Sequence, residues 1–193
     1  MTEGVLRTAE GPRGGVLPLA ASELLCNELP GVGSLDAALV VLNQARELAL
    51  GAGLLTVNRN ATDETVPPGE LRLQRLWSSE PATYPVGGAK RKTRSPWTRQ
   101  LFEEGGLFVG EGDAALAAAF DDHATILLLG LHAVVNVPIL QGGRCVATFN
   151  VLGARASWQP HEISAVRLLA LLARPHVLDS LPLLTQGADP LAP

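Results

Sequence analysis

Asn136, Thr148 and Asn150 are almost the only polar side chains within two apolar runs, residues 133–140 and 145–152. A side-chain amide buried without a partner costs about 1–3 kcal/mol. Each of these groups must therefore satisfy a neighbouring backbone or side-chain group, or face a small ligand. The two runs flank Gly142-Gly143, a strong signal for a β-hairpin. Register then decides the chemistry, because side chains alternate faces with period two. A two-residue turn at Gly142-Gly143 would pair Asn136 with Phe149. A three-residue loop of Gly142, Gly143 and Arg144 would set Asn136 opposite Asn150. The second register is the one expected here, since it gathers Asn136, Thr148 and Asn150 on one face as ligand-binding groups.

Other residues could complete such a site. His123 lies on the apolar stripe Leu116, Ala119, Phe120, His123, Ile126 and Leu127. On such a stripe a histidine more often serves packing, but beside a pocket it would be a hydrogen-bonding or pH-sensing group. Trp97 and Phe120 are candidate apolar walls. A long connection, residues 79–95, carries Tyr84, the only tyrosine, and leads into a basic run of Lys90, Arg91, Lys92, Arg94 and Arg99. The simplest reading of that run is a solvated loop; the functional alternative is an anion contact through Lys92 and Arg94. Cys26 and Cys145 are far apart and lack the spacing of a metal site, and His123 and His132 form no zinc motif. No metal, cofactor or catalytic residue is expected.

These residues need a scaffold, and composition bounds it. A chain of 193 residues with 47% hydrophobic content suits one domain with a full core. The expected layout is a flexible lead-in at 1–20, one domain at 21–178 and a tail at 179–193. The net charge of −4 argues against non-specific nucleic-acid binding. No apolar run approaches a membrane span and no secretory leader is visible, so a cytoplasmic location with reduced thiols is expected. In order, the patterning predicts a short helix capped by Ser22, then a helix capped by Ser34 and ended by Gly51. Strands follow at 54–57 and 71–78, with Leu71, Leu73 and Arg75 on one face. Ser95-Pro96 opens a short helix, and a short strand lies at 107–109. One helix runs from Asp113 to about Leu129, then the hairpin, then a helix from Gln159-Pro160 that Pro175 ends or kinks. This is an α+β chain with a mainly antiparallel sheet of five or six strands and helices on both faces.

The segment Val134-Val135-Asn136-Val137-Pro138-Ile139, the Gly-Gly-Arg turn, and Val146 to Gly153 followed by a terminal helix resemble the C-terminal half of a GAF domain. The resemblance covers about residues 105–175, and the preceding elements fit from about residue 34. It implies a PAS-like antiparallel sheet. One face would pack the first and last helices, about 34–52 and 160–174, which often form a homodimer interface in this family. The other would enclose a ligand cavity, on the order of 300–1,000 Å³ in small-molecule sites generally.

The resemblance implies a sensory or regulatory protein that binds an unidentified small molecule and, lacking room for an output module, acts in trans or through dimerisation. A GAF-type enzyme resembling the free methionine sulfoxide reductases is the alternative. It is disfavoured, because residues 113–133 hold no cysteine and Asn150 and Leu152 stand where that subtype has aspartates. The cyclic-nucleotide-binding constellation and a bilin-attaching cysteine near His132 are also absent from the sequence. A third reading is an interaction module whose pocket is filled by side chains.

Overall fold

The computed structural model describes residues 15–181; the expectations for residues 1–14 and 182–193 lie outside the described residues. Six strands form one antiparallel sheet in the order β3-β2-β1-β6-β5-β4. The strands are β1 (Gly53–Asn60), β2 (Glu70–Ser78), β3 (Ala89–Thr93), β4 (Phe108–Glu111), β5 (Ala133–Gln141) and β6 (Arg144–Gly153). The helices are α1 (Leu19–Glu28), α2 (Leu35–Leu50), α3 (Pro96–Thr98, continued by a π-helical turn Arg99–Glu103), α4 (Gly112–Ala119), α5 (His123–Leu128) and α6 (Pro160–Ser180). The expected α+β architecture is present, with six strands.

Alternation along the strands makes two unlike faces. Leu55, Val57, Val135, Phe149 and Val151 point to one side and pack with Leu39, Leu42, Val166, Leu169 and Ala173 of α2 and α6 into the main core. The opposite face carries Leu54, Thr56, Leu73, Val134, Asn136, Asn150 and Leu152, below α3 to α5 and the connection preceding β3. The side packed by α2 and α6 is apolar; the other is mixed.

Two bulges set which residues reach the mixed face. In the β5–β6 hairpin, Asn136 does pair with Asn150, but not through a three-residue loop. The turn is the two-residue Gly142-Gly143, with φ of 58° and 82°, as a mirror-image turn requires. Leu140 pairs with Cys145 while Ile139 pairs with Ala147, so Val146 is the extra residue that shifts the register by one. In β2, Val57 pairs with Trp77 and Asn58 with Arg75, leaving Leu76 as the extra residue. That bulge changes phase within the strand. Trp77 packs into the main core and donates its indole N–H to Asp36 of α2 at 2.9 Å, while Arg75 stays on the mixed face with Leu73.

Other local expectations change. Ser22 does not cap α1; the helix starts at Leu19 with Pro18 before it, and the Ser22 hydroxyl donates to the Pro18 carbonyl. The basic run is not a loop: residues 89–93 add to β2 as edge strand β3, turning Lys90 and Lys92 inward and Arg91 outward. Nor is 113–129 one helix. Phe120 is extended, with φ −129° and ψ 124°, and separates α4 from α5. Pro175 lies inside α6 rather than ending it. The carbonyl it leaves without an N–H belongs to Leu171, which is exposed to water, and buried Val177 anchors the helix beyond it. Ser34 and Ser95 cap α2 and α3 as expected, Ser95 in a reciprocal box with Thr98.

Candidate functional site

The mixed face of the sheet lines a half-open cavity of about 60 Å³, smaller than the range expected of a ligand pocket. Period-two alternation supplies Leu54, Thr56 and Asn58 from β1, Leu73 and Arg75 from β2, Lys90 and Lys92 from β3, Val134 and Asn136 from β5, and Asn150 and Leu152 from β6. Tyr84, Trp97, Phe120, Asp122 and Ile126 close it from the connections and helices above.

A polar relay crosses its floor. The Trp97 indole N–H donates to Asn136 Oδ1 at 2.9 Å, Asn136 Nδ2 donates to Asn150 Oδ1 at 2.7 Å, and Asn150 Nδ2 donates to the Thr56 carbonyl at 3.2 Å. Its direction follows from the end groups. An indole nitrogen can only donate and a backbone carbonyl can only accept, so each amide between them has one orientation. The two asparagines are thus held by each other and by their neighbours, and buried.

The other wall is cationic. Lys90 Nζ donates to Asp122 at 2.6 Å and Lys92 Nζ to Asp121 at 2.7 Å, tying the connector between α4 and α5 to β3. Lys92 also lies 5.9 Å from the Trp97 ring centroid. Arg75 is 8% exposed; its guanidinium sits 4.9 Å from the Tyr84 ring centroid and donates to the Pro85 carbonyl at 3.2 Å. Two buried polar atoms here have no partner among the described residues: Arg75 Nε and the Tyr84 hydroxyl. The Tyr84 hydroxyl feels the Asp122 carboxylate without a hydrogen bond of normal geometry. Burial, then the Asp122 charge, pushes its pKa up to about 12. Burial by itself would raise Asp122, but the Lys90 hydrogen bond and charge outweigh it and hold the carboxyl below its ordinary value.

Of the residues singled out from sequence, the structure brings Trp97, Phe120, Asn136, Asn150 and Lys92 together around the cavity. Thr148, His123 and Arg94 are not among its lining residues. Thr148 lies on β6 opposite Pro138 and Asn58, its hydroxyl buried and unpartnered among the described residues. His123 is the half-buried first residue of α5. Arg94 is exposed and pairs with Glu103 at 2.7 Å. Sequence reasoning missed Arg75, Tyr84, Lys90 and Asp122 as site residues. Arg75 did give a signal, being a cation in phase with Leu71 and Leu73. Neither cysteine lines the cavity: Cys26 is exposed on α1, and burial pushes the Cys145 thiol up to about 12. Among the described residues, no group of three or more His, Cys, Asp or Glu side chains could hold a metal ion, and no helix is long and apolar enough to cross a membrane.

An antiparallel sheet with one face on paired helices and the other over a small cavity defines a single-sheet α+β class of domain. The chain belongs to the GAF domain family, whose model matches residues 23–174. Solved structures of low identity share the fold. The GAF domain of a phosphoenolpyruvate-protein phosphotransferase from Coxiella burnetii superposes with a TM-score of 0.60 at 18% identity, covering 84% of this chain and 93% of that one. The GAF domain of a two-component sensor histidine kinase from Bacillus halodurans gives 0.58 at 13% identity, covering 78% and 100%. The chromophore-binding domain of a bacteriophytochrome from R. palustris gives 0.57 at 11% identity; the match covers 83% of this chain but 61% of that one. A sequence comparison with curated proteins returns no match.

Proposed function

We propose that this GAF domain is a sensory module that binds a small molecule in the cavity between its sheet and the α3–α5 layer. The observation that carries this reading is the pair of buried donors, Arg75 Nε and the Tyr84 hydroxyl, left without partners beside a cavity. Leaving such groups unpaired is costly, and a ligand offering acceptors would satisfy both. Trp97, Phe120, Asn136 and Asn150 form the floor and walls that position it, and Lys92 contributes charge. Sharing a fold with a sensor-kinase GAF domain and a chromophore-binding domain supports a signalling role. The placement of both cysteines outside the cavity favours binding over thiol chemistry. The signal passes through the ordering of the 79–88 connection and the α4–α5 connector, and through a homodimer formed by α2 and α6.

Thermal-shift screening of the wild type beside Asn58→Trp tests this. Asn58 is a half-buried lining residue, so the indole blocks the cavity with little disturbance of the core. Compounds that bind the cavity raise the melting temperature of the wild type alone. If every stabilising compound acts equally on both proteins, the cavity is not the site.

A further inference from the structure

Resting on the cavity as a ligand site, we propose that its ligand is a small apolar carboxylic acid bound as the anion, and that Asp122 is the internal counter-ion the ligand displaces. Three cations, Arg75, Lys90 and Lys92, line the cavity against a single lining carboxylate, Asp122. Asp122 occupies the position a ligand carboxylate would take, with its oxygen 2.6 Å from Lys90 Nζ. The remaining donors are already in place and buried. Arg75 is fixed by its hydrogen bond to Pro85 and its stacking on Tyr84, so Nε is pre-oriented. The Tyr84 hydroxyl stays protonated, and a donor, well above neutral pH.

Once Lys90 is released by Asp122, the ammonium, the guanidinium Nε and the phenol can share two carboxylate oxygens, a common pattern of charge-assisted hydrogen bonds. Exchanging one monoanion for another leaves the charge of this cluster unchanged. A phosphate dianion would add a negative charge to it. Each amide nitrogen and oxygen of the Asn136–Asn150 relay already has a partner within the protein, so the rest of the ligand meets mainly Leu54, Leu73, Val134 and Leu152. That selects an apolar body.

Phe120 to Asp122 lie between two short helices, and Asp121, exposed, holds the connector to β3 through Lys92. When Asp122 leaves, the cavity gains the volume its side chain occupied, and the displacement reports occupancy to the α4–α5 surface.

Calorimetric titration with benzoate, benzamide and inorganic phosphate tests the proposal on the wild type, Asp122→Asn, Asp121→Asn and Arg75→Met, each first checked for native circular dichroism. Removal of the competing carboxylate should tighten benzoate binding about tenfold in Asp122→Asn and leave benzamide unchanged. Asp121→Asn, which loosens the connector and frees the lining Lys92 from its ion pair, should tighten benzoate to a smaller extent, and Arg75→Met should weaken it about tenfold. Should Arg75→Met not fold, the two aspartate variants still decide. Equal benzoate affinity in the wild type and Asp122→Asn, tighter binding of phosphate than of benzoate, or no benzoate binding at all would each overturn the proposal. Benzamide binding where benzoate does not would overturn the ligand class while leaving the cavity as a ligand site.

Discussion

Tyr84 is the residue at which the site can be read one group at a time. It is the only tyrosine in the chain, so the phenolate absorbance band reports it alone. Its environment pushes the pKa up to about 12, against about 10 for an unperturbed phenol. The folded state therefore holds this proton more tightly than the unfolded chain. The associated stability is complete below about pH 10 and is lost as pH rises through about 12. Spectrophotometric titration of the folded protein should give a midpoint near 12; a midpoint near 10 would mean that the ring is solvated. A second prediction concerns the relay. Asn136→Leu orphans the Trp97 indole N–H and Asn150 Oδ1 together, and each should cost about 1–3 kcal/mol in denaturant unfolding. A loss below 0.5 kcal/mol, roughly the scatter of surface substitutions, would show that water replaces the amide. Asn136 and Asn150 were legible because polar residues stand out in an apolar run. Tyr84, Lys90 and Asp122 were not, because what makes them site residues is the contact of β3 with a connector some thirty positions away.

The hairpin shows what an element's sequence encodes and what it does not. Two glycines announced the turn, and the facing of the two asparagines followed from the polar pattern. The means did not: a bulge at Val146 delivers the register, and no residue type there marks it. Leu76 is the same case in β2, where the bulge separates the faces of Arg75 and Trp77. The run 89–93 was hidden by composition, since five residues with three cations read as solvent-facing until strand alternation turns two of them inward. Likewise the apolar stripe of 113–129 hid the break at Phe120, which the pairing of Asp121 and Asp122 with Lys92 and Lys90 supports. The core face was the most legible part. Phe149 is fully buried against α2 and α6, so Phe149→Ala should cost about 3–5 kcal/mol in denaturant unfolding. A loss under 1 kcal/mol would contradict the packing of the hairpin on these helices.

At the scale of the whole molecule, the two faces of the one sheet are unlike. One holds the cavity. The other is covered by α2 and α6, on whose outer side Val40, Leu48 and Leu171 are exposed, Leu171 to 63%. Apolar side chains on neighbouring helices favour self-association. Sedimentation equilibrium should find a dimer that Leu171→Asp converts to monomer, and a wild-type monomer at high protein concentration would remove this interface. The family and the fold were legible from the hairpin and its flanking helices, whereas cavity size was not, because volume depends on how far side chains from six strands and their connections fill the space.

The claim on which the account turns is that the cavity holds a small molecule. Mass spectrometry under native conditions, on gently purified wild type and on Asn58→Trp, tests it most directly. The account predicts that the wild type carries a retained mass, released on unfolding as a small organic acid, and that the blocked variant carries none. The same retained molecule in both proteins, or none in either after incubation with cell-extract metabolites, would contradict it.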